Sequence, residues 1–213
     1  MSLPVRLLLY FVPMLLSLTV HECCHALAAH LLGDDTAKER GRLTLNPIPH
    51  IDIFGTLLLP ALAIAGHGPV FGWARPTPIN AARFRPTVSF RFGIAFTSIV
   101  GPISNLVLGL LAALLLSAFR HTSWDLSWVE PLLMATMAIN AALAVFNFLP
   151  IPPLDGSNIV LGLLPRRAAL AYVRLGRWSI LLLLVLFLVP AVGQTLAIPM
   201  QGLLAFYENV AAQ

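Results

Sequence analysis

Residues 92–119 read FGIAFTSIVGPISNLVLGLLAALLLSAF, a stretch of the chain without a charged side chain. A helix needs about 20 apolar residues to cross the hydrocarbon of a bilayer, so this stretch predicts a transmembrane helix. Three similar runs cover about 3–32, 131–149 and 178–192, and a shorter run at 196–210 is either a fifth span or an interfacial helix. The sequence therefore predicts an all-α polytopic membrane protein.

The composition supports this prediction. Of the 213 residues, 58% are hydrophobic and 10% are charged, whereas a soluble domain carries about a quarter charged residues. The length suits a single domain over 1–213, with a helical core at about 3–165 and C-terminal helices at about 168–210. The net charge is +4, but no basic stripe is interleaved with aromatic residues, so we expect no nucleic-acid partner.

Residues 44–80 interrupt the pattern of long spans. Their apolar part, residues 53–65, is too short to cross the bilayer comfortably, and Pro and Gly crowd both of its ends. Such a segment predicts a re-entrant loop, or extended chain buried against helices, between the first two core helices. Three polar residues here, His50, Asp52 and His67, are expected to form loop hydrogen bonds or to lie at the interface rather than to line a substrate path.

The first span contains His21-Glu22-Cys23-Cys24-His25, a HExxH pattern. Residues four apart lie on one face of a helix, so His21 and His25 can bind one metal ion. Glu22 can then reach the attacking water as a general base. Ionisable groups inside a membrane helix are expensive and usually functional. Cys23 and Cys24 point away from the face of the two histidines, and we expect them to be small buried residues, not ligands.

A catalytic zinc site takes three protein ligands, so a third is needed. Asp155 is the candidate, because Pro150, Pro152 and Pro153 leave unwound backbone beside it. The alternative, that Asp155 caps a helix at 156–164, is compatible with ligation. If residues 53–65 do not span, the chain crosses the bilayer twice between His25 and Asp155. Asp155 and the histidines then share a depth in the bilayer.

The basic residues select the same topology. All but Arg6 and Arg120 of the 13 Lys and Arg residues then fall on one side of the membrane. By the positive-inside rule that side is cytoplasmic, so the N-terminus faces outward and the metal site lies towards the cytoplasm of the cell (inner) membrane.

The paired motifs resemble those of the site-2 proteases, the intramembrane zinc metalloproteases. HECCH at 21–25 is followed at a distance by Asn147, Pro150, Asp155 and Gly156, which match the family's (N)xxPxxxxDG pattern. The stretches NPIPHIDIFGTLLLP (46–60), FGWARPTPIN (71–80) and GPISN (101–105) are also similar to the family, most of all to its small prokaryotic branch without a PDZ domain.

The resemblance implies a zinc-dependent endopeptidase with a catalytic core made by the first three strong spans. It implies one zinc ion held by His21, His25 and Asp155, with Glu22 as the general base. Asn147 is expected to stabilise the substrate or its oxyanion, the alternative being a hydrogen bond between helices. Asn105 is expected to support helix packing. The substrate would be a transmembrane protein or peptide that unwinds locally, and we place its added strand beside residues 44–60.

Three other functions compete with proteolysis. A non-proteolytic zinc-binding scaffold of the same family would not require Glu22. A membrane diiron oxygenase needs several histidine clusters, whereas this chain has six histidines that are mostly scattered. A zinc transporter would need further polar residues along its spans. Oligomeric state and the substrate's identity are not determined by the sequence.

Overall fold

A computed structural model describes residues 2–66, 72–123 and 125–213, and all regular structure in these ranges is helical. His67, one of the polar residues considered above, lies outside the described residues. The α-helices are α1 (Leu3–Leu31), α2 (Thr36–Glu39), α3 (Leu59–Ala65), α4 (Phe90–Arg120), α5 (Val129–Asn147), α6 (Asp155–Leu163), α7 (Arg166–Val173), α8 (Ser179–Leu188) and α9 (Pro190–Ala211).

Three of these helices, α1, α4 and α5, are long and apolar enough to cross a membrane. Large apolar side chains point outward from them, among them Leu8 at 63% and Leu111 at 54% exposure. In water such a surface would be costly, but against lipid tails it is the expected exterior of a transmembrane bundle. The predicted all-α multi-pass architecture is confirmed.

Helix α4 lies at the centre and contacts α1, α5, α6 and α9. Small residues such as Ala113 and Ala141 let the helices approach closely, and Tyr207 of α9 fills the space between α4 and α5. Gly109 is needed for this fit, because a Cβ atom there would lie 2.6 Å from the Tyr207 ring.

Helix α1 ends at a glycine stop. Gly33 has φ of 105°, a left-handed conformation that glycine adopts without strain. The next amide, of Asp34, donates back to the carbonyl of Ala29 at 2.9 Å. The chain therefore turns back towards the bundle immediately after the first span.

The segment at 53–65 is helical but short. A π-helix at Ile53–Leu58 continues directly into α3. At about 1.5 Å per residue the whole piece is roughly 20 Å long, less than the ~30 Å of hydrocarbon. At this length it is too short to cross the bilayer by itself, which fits the expected re-entrant segment.

One predicted span is wrong. Residues 178–192 were expected to form a single strong span, but α8 ends at Leu188 and α9 starts at Pro190. Proline has no backbone N–H and suits the first turn of a helix, so Pro190 begins a new helix instead of continuing the old one. The run at 196–210 belongs to α9.

Residues 72–80 form an irregular segment that is fixed to the rest of the protein along its length. The Trp73 amide donates to the carbonyl of Gly55 at 3.1 Å, and the Arg75 amide donates to the carbonyl of His50 at 2.8 Å. At its end, the Asn80 amide donates to the buried carboxylate of Asp34 at 2.6 Å. We call residues 72–80 the anchored segment.

Candidate metal centre

Three potential metal ligands meet where α1, α4 and α6 come together. His21 and His25 lie one turn apart on α1, with their Nε2 atoms 3.0 Å from each other. Oδ2 of Asp155, the first residue of α6, lies 3.1 Å from Nε2 of His21 and 3.3 Å from Nε2 of His25. Within residues 2–66, 72–123 and 125–213, these are the one set of three His, Cys, Asp or Glu side chains close enough to share an ion.

The orientation of both imidazoles fits a metal ion. Nδ1 of His21 lies 2.6 Å from Oδ1 of Asn105, and Nδ1 of His25 lies 2.6 Å from the carbonyl of Thr97. A neutral imidazole carries one proton, so a proton donated from Nδ1 leaves a lone pair on Nε2. Two Nε2 lone pairs and one carboxylate oxygen of Asp155 then face the same point. This arrangement is unfavourable unless a cation lies between them.

Gly101 makes room for the two rings. A Cβ atom at this position of α4 would contact Nε2 of His25 and would lie 2.8 Å from Cε1 of His21. The structure therefore shows a close approach of α1 to α4 at Gly101. The glycine of GPISN therefore belongs to the construction of the metal centre.

Glu22 lies beside the cluster but outside it. Its side chain is 9% exposed, and Oε2 accepts a hydrogen bond of 2.7 Å from the backbone amide of Thr77. The Thr77 hydroxyl donates to the carbonyl of Glu22 at 3.0 Å. The anchored segment therefore holds the Glu22 carboxylate in place, and Glu22 is not one of the three potential metal ligands.

Arg42 in turn holds the anchored segment. One terminal nitrogen, Nη2, donates to the carbonyls of Arg75 and Pro76 at 2.6 and 2.7 Å, directly before Thr77. Burial lowers the pKa of Arg42 below its ordinary value, the charge of Glu22 opposes this fall, and the charge of Arg75 adds to it. The guanidinium is thus a buried cation within electrostatic range of Glu22.

Asn147, the remaining predicted site residue, lies at the C-terminal end of α5. Its Nδ2 donates to the carbonyl of Leu143 at 3.0 Å. Among the described residues it makes no hydrogen bond to His21, His25 or Asp155, and its assignment to the oxyanion stays a prediction.

The other polar residues singled out from the sequence have local roles. His50 binds the carbonyl of Thr44 at 3.0 Å, and Asp52 caps the π-helix by accepting from the amides of Phe54 and Gly55. Neither Cys23 nor Cys24 belongs to the metal-ligand cluster. The strand-addition site expected beside residues 44–60 is not supported over most of that range, because Ile48–His50 is a 3₁₀-turn and Ile53–Leu58 is the π-helix.

Four contributors to the site were not identified from the sequence: the carbonyl of Thr97, the amide of Thr77, the side chain of Arg42 and the contact of Asn105 with His21. Two of these are backbone groups, which every residue possesses, so no residue type marks them. Asn105 had been assigned to helix packing, and its direct contact with a histidine of the cluster goes beyond that role.

Known proteins similar to this chain point to the same chemistry. The protein named "Putative zinc metalloprotease YwhC" from Bacillus subtilis is 37% identical over 193 residues, covering 88% of this chain and 84% of that protein. Proteins named "Putative zinc metalloprotease Rip2" from Mycolicibacterium smegmatis and Mycobacterium tuberculosis are each 32% identical over 180 and 183 residues, covering 84% of this chain and 66% of their own lengths. No family model and no solved structure matches the chain.

The fold and the site define a multi-pass membrane protein with a His-His-Asp cluster that could hold a metal ion. Together with these relatives, they show that the chain belongs to the site-2 protease family of zinc metalloproteases.

Proposed function

We infer that this protein is an intramembrane zinc endopeptidase that hydrolyses peptide bonds within or near transmembrane segments of membrane proteins. The observation that carries this proposal is the placement of Glu22 next to three converging ligand atoms. Metal binding alone does not require a carboxylate at that position, so in a non-proteolytic scaffold Glu22 would serve only to hold the anchored segment through Thr77.

In this proposal His21, His25 and Asp155 hold one zinc ion. His21 and His25 supply Nε2, and Asp155 supplies a carboxylate oxygen, a ligand set that leaves a position open for water or substrate. Bound zinc supplies a Lewis acid that polarises the scissile carbonyl and makes water a nucleophile at neutral pH.

Glu22 moves the protons in the reaction. Its Oε2 accepts a hydrogen bond from the Thr77 amide, and we assign Oε1 as the oxygen that accepts a proton from the attacking water. The same carboxyl group then delivers a proton to the nitrogen of the leaving amide. A general base of this kind contributes about 10²- to 10⁴-fold to the rate.

Asn147 is proposed to donate to the developing oxyanion. Its Nδ2 group carries two hydrogens, and one of them is used by the carbonyl of Leu143. The other is available for a substrate oxygen. We also propose that the site faces the cytoplasm, with the N-terminus outside, on the strength of the distribution of Lys and Arg.

The proposal is tested with purified protein in proteoliposomes that contain a model transmembrane peptide. Mass spectrometry of the products should show cleavage inside or at the border of the apolar stretch. Glu22→Gln preserves the shape of the side chain but not its basicity, so it should bind zinc and leave the peptide intact. Equal cleavage by wild type and Glu22→Gln would overturn the assignment of the general base.

A further inference from the structure

Two asparagines in the middle of the bundle connect His21 to a chain of hydrogen bonds across three helices. Asn105 of α4 and Asn140 of α5 are both 0% exposed. Nδ2 of Asn105 donates to Oδ1 of Asn140 at 2.9 Å, and Nδ2 of Asn140 donates to Oγ of Ser17 at 2.8 Å. The Ser17 hydroxyl donates to the carbonyl of Pro13 at 2.7 Å, back on α1.

The direction of every hydrogen bond in this series is determined by the carbonyl acceptors at its end, those of Pro13 and Thr136. Asn140 has a second donor contact, of 2.8 Å, to the carbonyl of Thr136. A carbonyl only accepts, and the single hydrogen of Ser17 is given to Pro13, so both neighbours of Asn140 require its NH₂ group. Oδ1 of Asn140 must then face Asn105, and the NH₂ group of Asn105 donates to it. Oδ1 of Asn105 is therefore left to face His21.

The opposite orientation of Asn105 would work against the metal centre. Its NH₂ group would then point at Nδ1 of His21. In the observed orientation that Nδ1 lies 2.6 Å from Oδ1 of Asn105. Nδ1 would have to accept, and the proton of a neutral ring would move to Nε2. That is the atom directed at His25 and Asp155.

We propose that Asn105 and Asn140 are positioning residues that keep Nε2 of His21 unprotonated and directed at the metal. The inference rests on the proposed function, because the orientation of His21 matters only if the cluster holds an ion. Outer partners of metal-binding histidines fix ring orientation, and their loss commonly costs about 10- to 100-fold in metal affinity. Helix packing alone would give the two asparagines no influence on metal affinity beyond their effect on stability.

A pair of substitutions at Asn105 separates the two roles. Asn105→Leu removes the acceptor for His21 and puts an apolar side chain of similar size in its place. Asn105→Asp keeps an oxygen acceptor for Nδ1 of His21, although it disturbs the contact with Asn140. Asn140→Leu leaves Asn105 in place but removes the group that fixes its orientation. Thr136→Val is the matched control, since the Thr136 hydroxyl only bonds its own helix, at the carbonyl of Leu132.

Zinc affinity is measured by competition with a chelator in detergent, and Co²⁺ replaces zinc to report ligand geometry by its visible absorption. Thermal unfolding of the same samples reports stability. We expect Asn105→Leu and Asn140→Leu to weaken zinc binding about 10- to 100-fold and to alter the cobalt spectrum. Asn105→Asp should bind zinc within about threefold of wild type even if it unfolds at a lower temperature, and Thr136→Val should match wild type.

Results that would overturn the role of the two asparagines differ from the result that would overturn the proposed function. If Asn105→Leu folds and binds zinc as wild type does, or if Asn105→Asp loses as much affinity as Asn105→Leu, the asparagines only pack helices. Should Asn105→Leu not fold, Asn140→Leu decides: unchanged zinc affinity there overturns the inference. A wild-type protein that binds no zinc would instead overturn the proposed function, and the inference with it.

Discussion

The backbone amide of Thr77 donates a hydrogen bond of 2.7 Å to Oε2 of Glu22, 55 residues earlier in the chain. The Thr77 hydroxyl also bonds the carbonyl of Glu22, so the anchored segment is attached to α1 at the proposed general base itself. The direction of the carboxylate therefore depends on a main-chain group of an irregular segment.

The first prediction concerns this amide. Thr77→Pro removes the N–H, whereas Thr77→Ala keeps it and removes only the hydroxyl. We expect Thr77→Pro to lower kcat by about tenfold or more, because an unpositioned base loses part of its contribution, and Thr77→Ala to have a small effect. Zinc content should be unchanged in both variants. Full activity of Thr77→Pro would show that the contact does not position Glu22.

A second prediction concerns Arg42, which fixes the carbonyls of Arg75 and Pro76. Arg42→Gln should lower kcat and also destabilise the protein by about 1–3 kcal/mol, since partly buried carbonyls lose a charged donor. Arg40→Gln is the control, because Arg40 is exposed and close in sequence. Activity and thermal unfolding are measured together. If both variants behave alike, net charge and not the hydrogen bonds of Arg42 explains the result.

Gly101 gives a third prediction. Gly101→Ala places a Cβ atom against both imidazoles, so we expect zinc affinity to fall by about tenfold or more as the ligands are displaced. Gly202→Ala, within α9, meets no atom within 4 Å and should leave zinc binding unchanged. Metal analysis after dialysis against a weak chelator distinguishes them. Normal zinc retention by Gly101→Ala would mean that the rings do not pack as described.

Tyr207 supports a fourth prediction, on the packing of α9. The side chain is 1% exposed, and its hydroxyl donates to the carbonyl of Leu106 at 2.9 Å. Tyr207→Ala should destabilise the protein by about 3 kcal/mol through the cavity it leaves, and Tyr207→Phe by about 1 kcal/mol. Phe206→Ala, at a neighbouring position that is 52% exposed, is the control and should be close to neutral. Equal unfolding midpoints for Tyr207→Ala and Phe206→Ala would contradict the packing of α9 on α4.

Much of the architecture could be predicted because hydropathy and motif spacing are local properties. The three long spans follow from apolar runs, and the pairing of His21 with His25 follows from helical periodicity. Asp155 was predicted on a different basis, the backbone that nearby prolines leave unwound, and the number of crossings between it and the histidines agreed with that choice. The structure brings its carboxylate to 3.1 and 3.3 Å from the two imidazoles.

Other features depend on information that a single sequence does not carry. Average hydropathy does not register that Pro190 starts a helix, so it predicts one span over residues 178–192 where the structure has two helices. The contact of Asn105 with His21 depends on how α1 and α4 pack, and a polar residue in an apolar helix has many possible partners. The amide of Thr77 and the carbonyl of Thr97 are invisible to any argument from residue type.

The central claim, that His21, His25 and Asp155 hold a catalytic zinc ion next to Glu22, has one direct test. Zinc content and cleavage of a model transmembrane peptide are measured for purified wild type, Glu22→Ala and Asp155→Ala. We predict one zinc ion per wild-type chain, loss of cleavage in both variants, and loss of zinc mainly in Asp155→Ala. Unchanged zinc in Asp155→Ala, or cleavage by Glu22→Ala at the wild-type rate, would contradict the account.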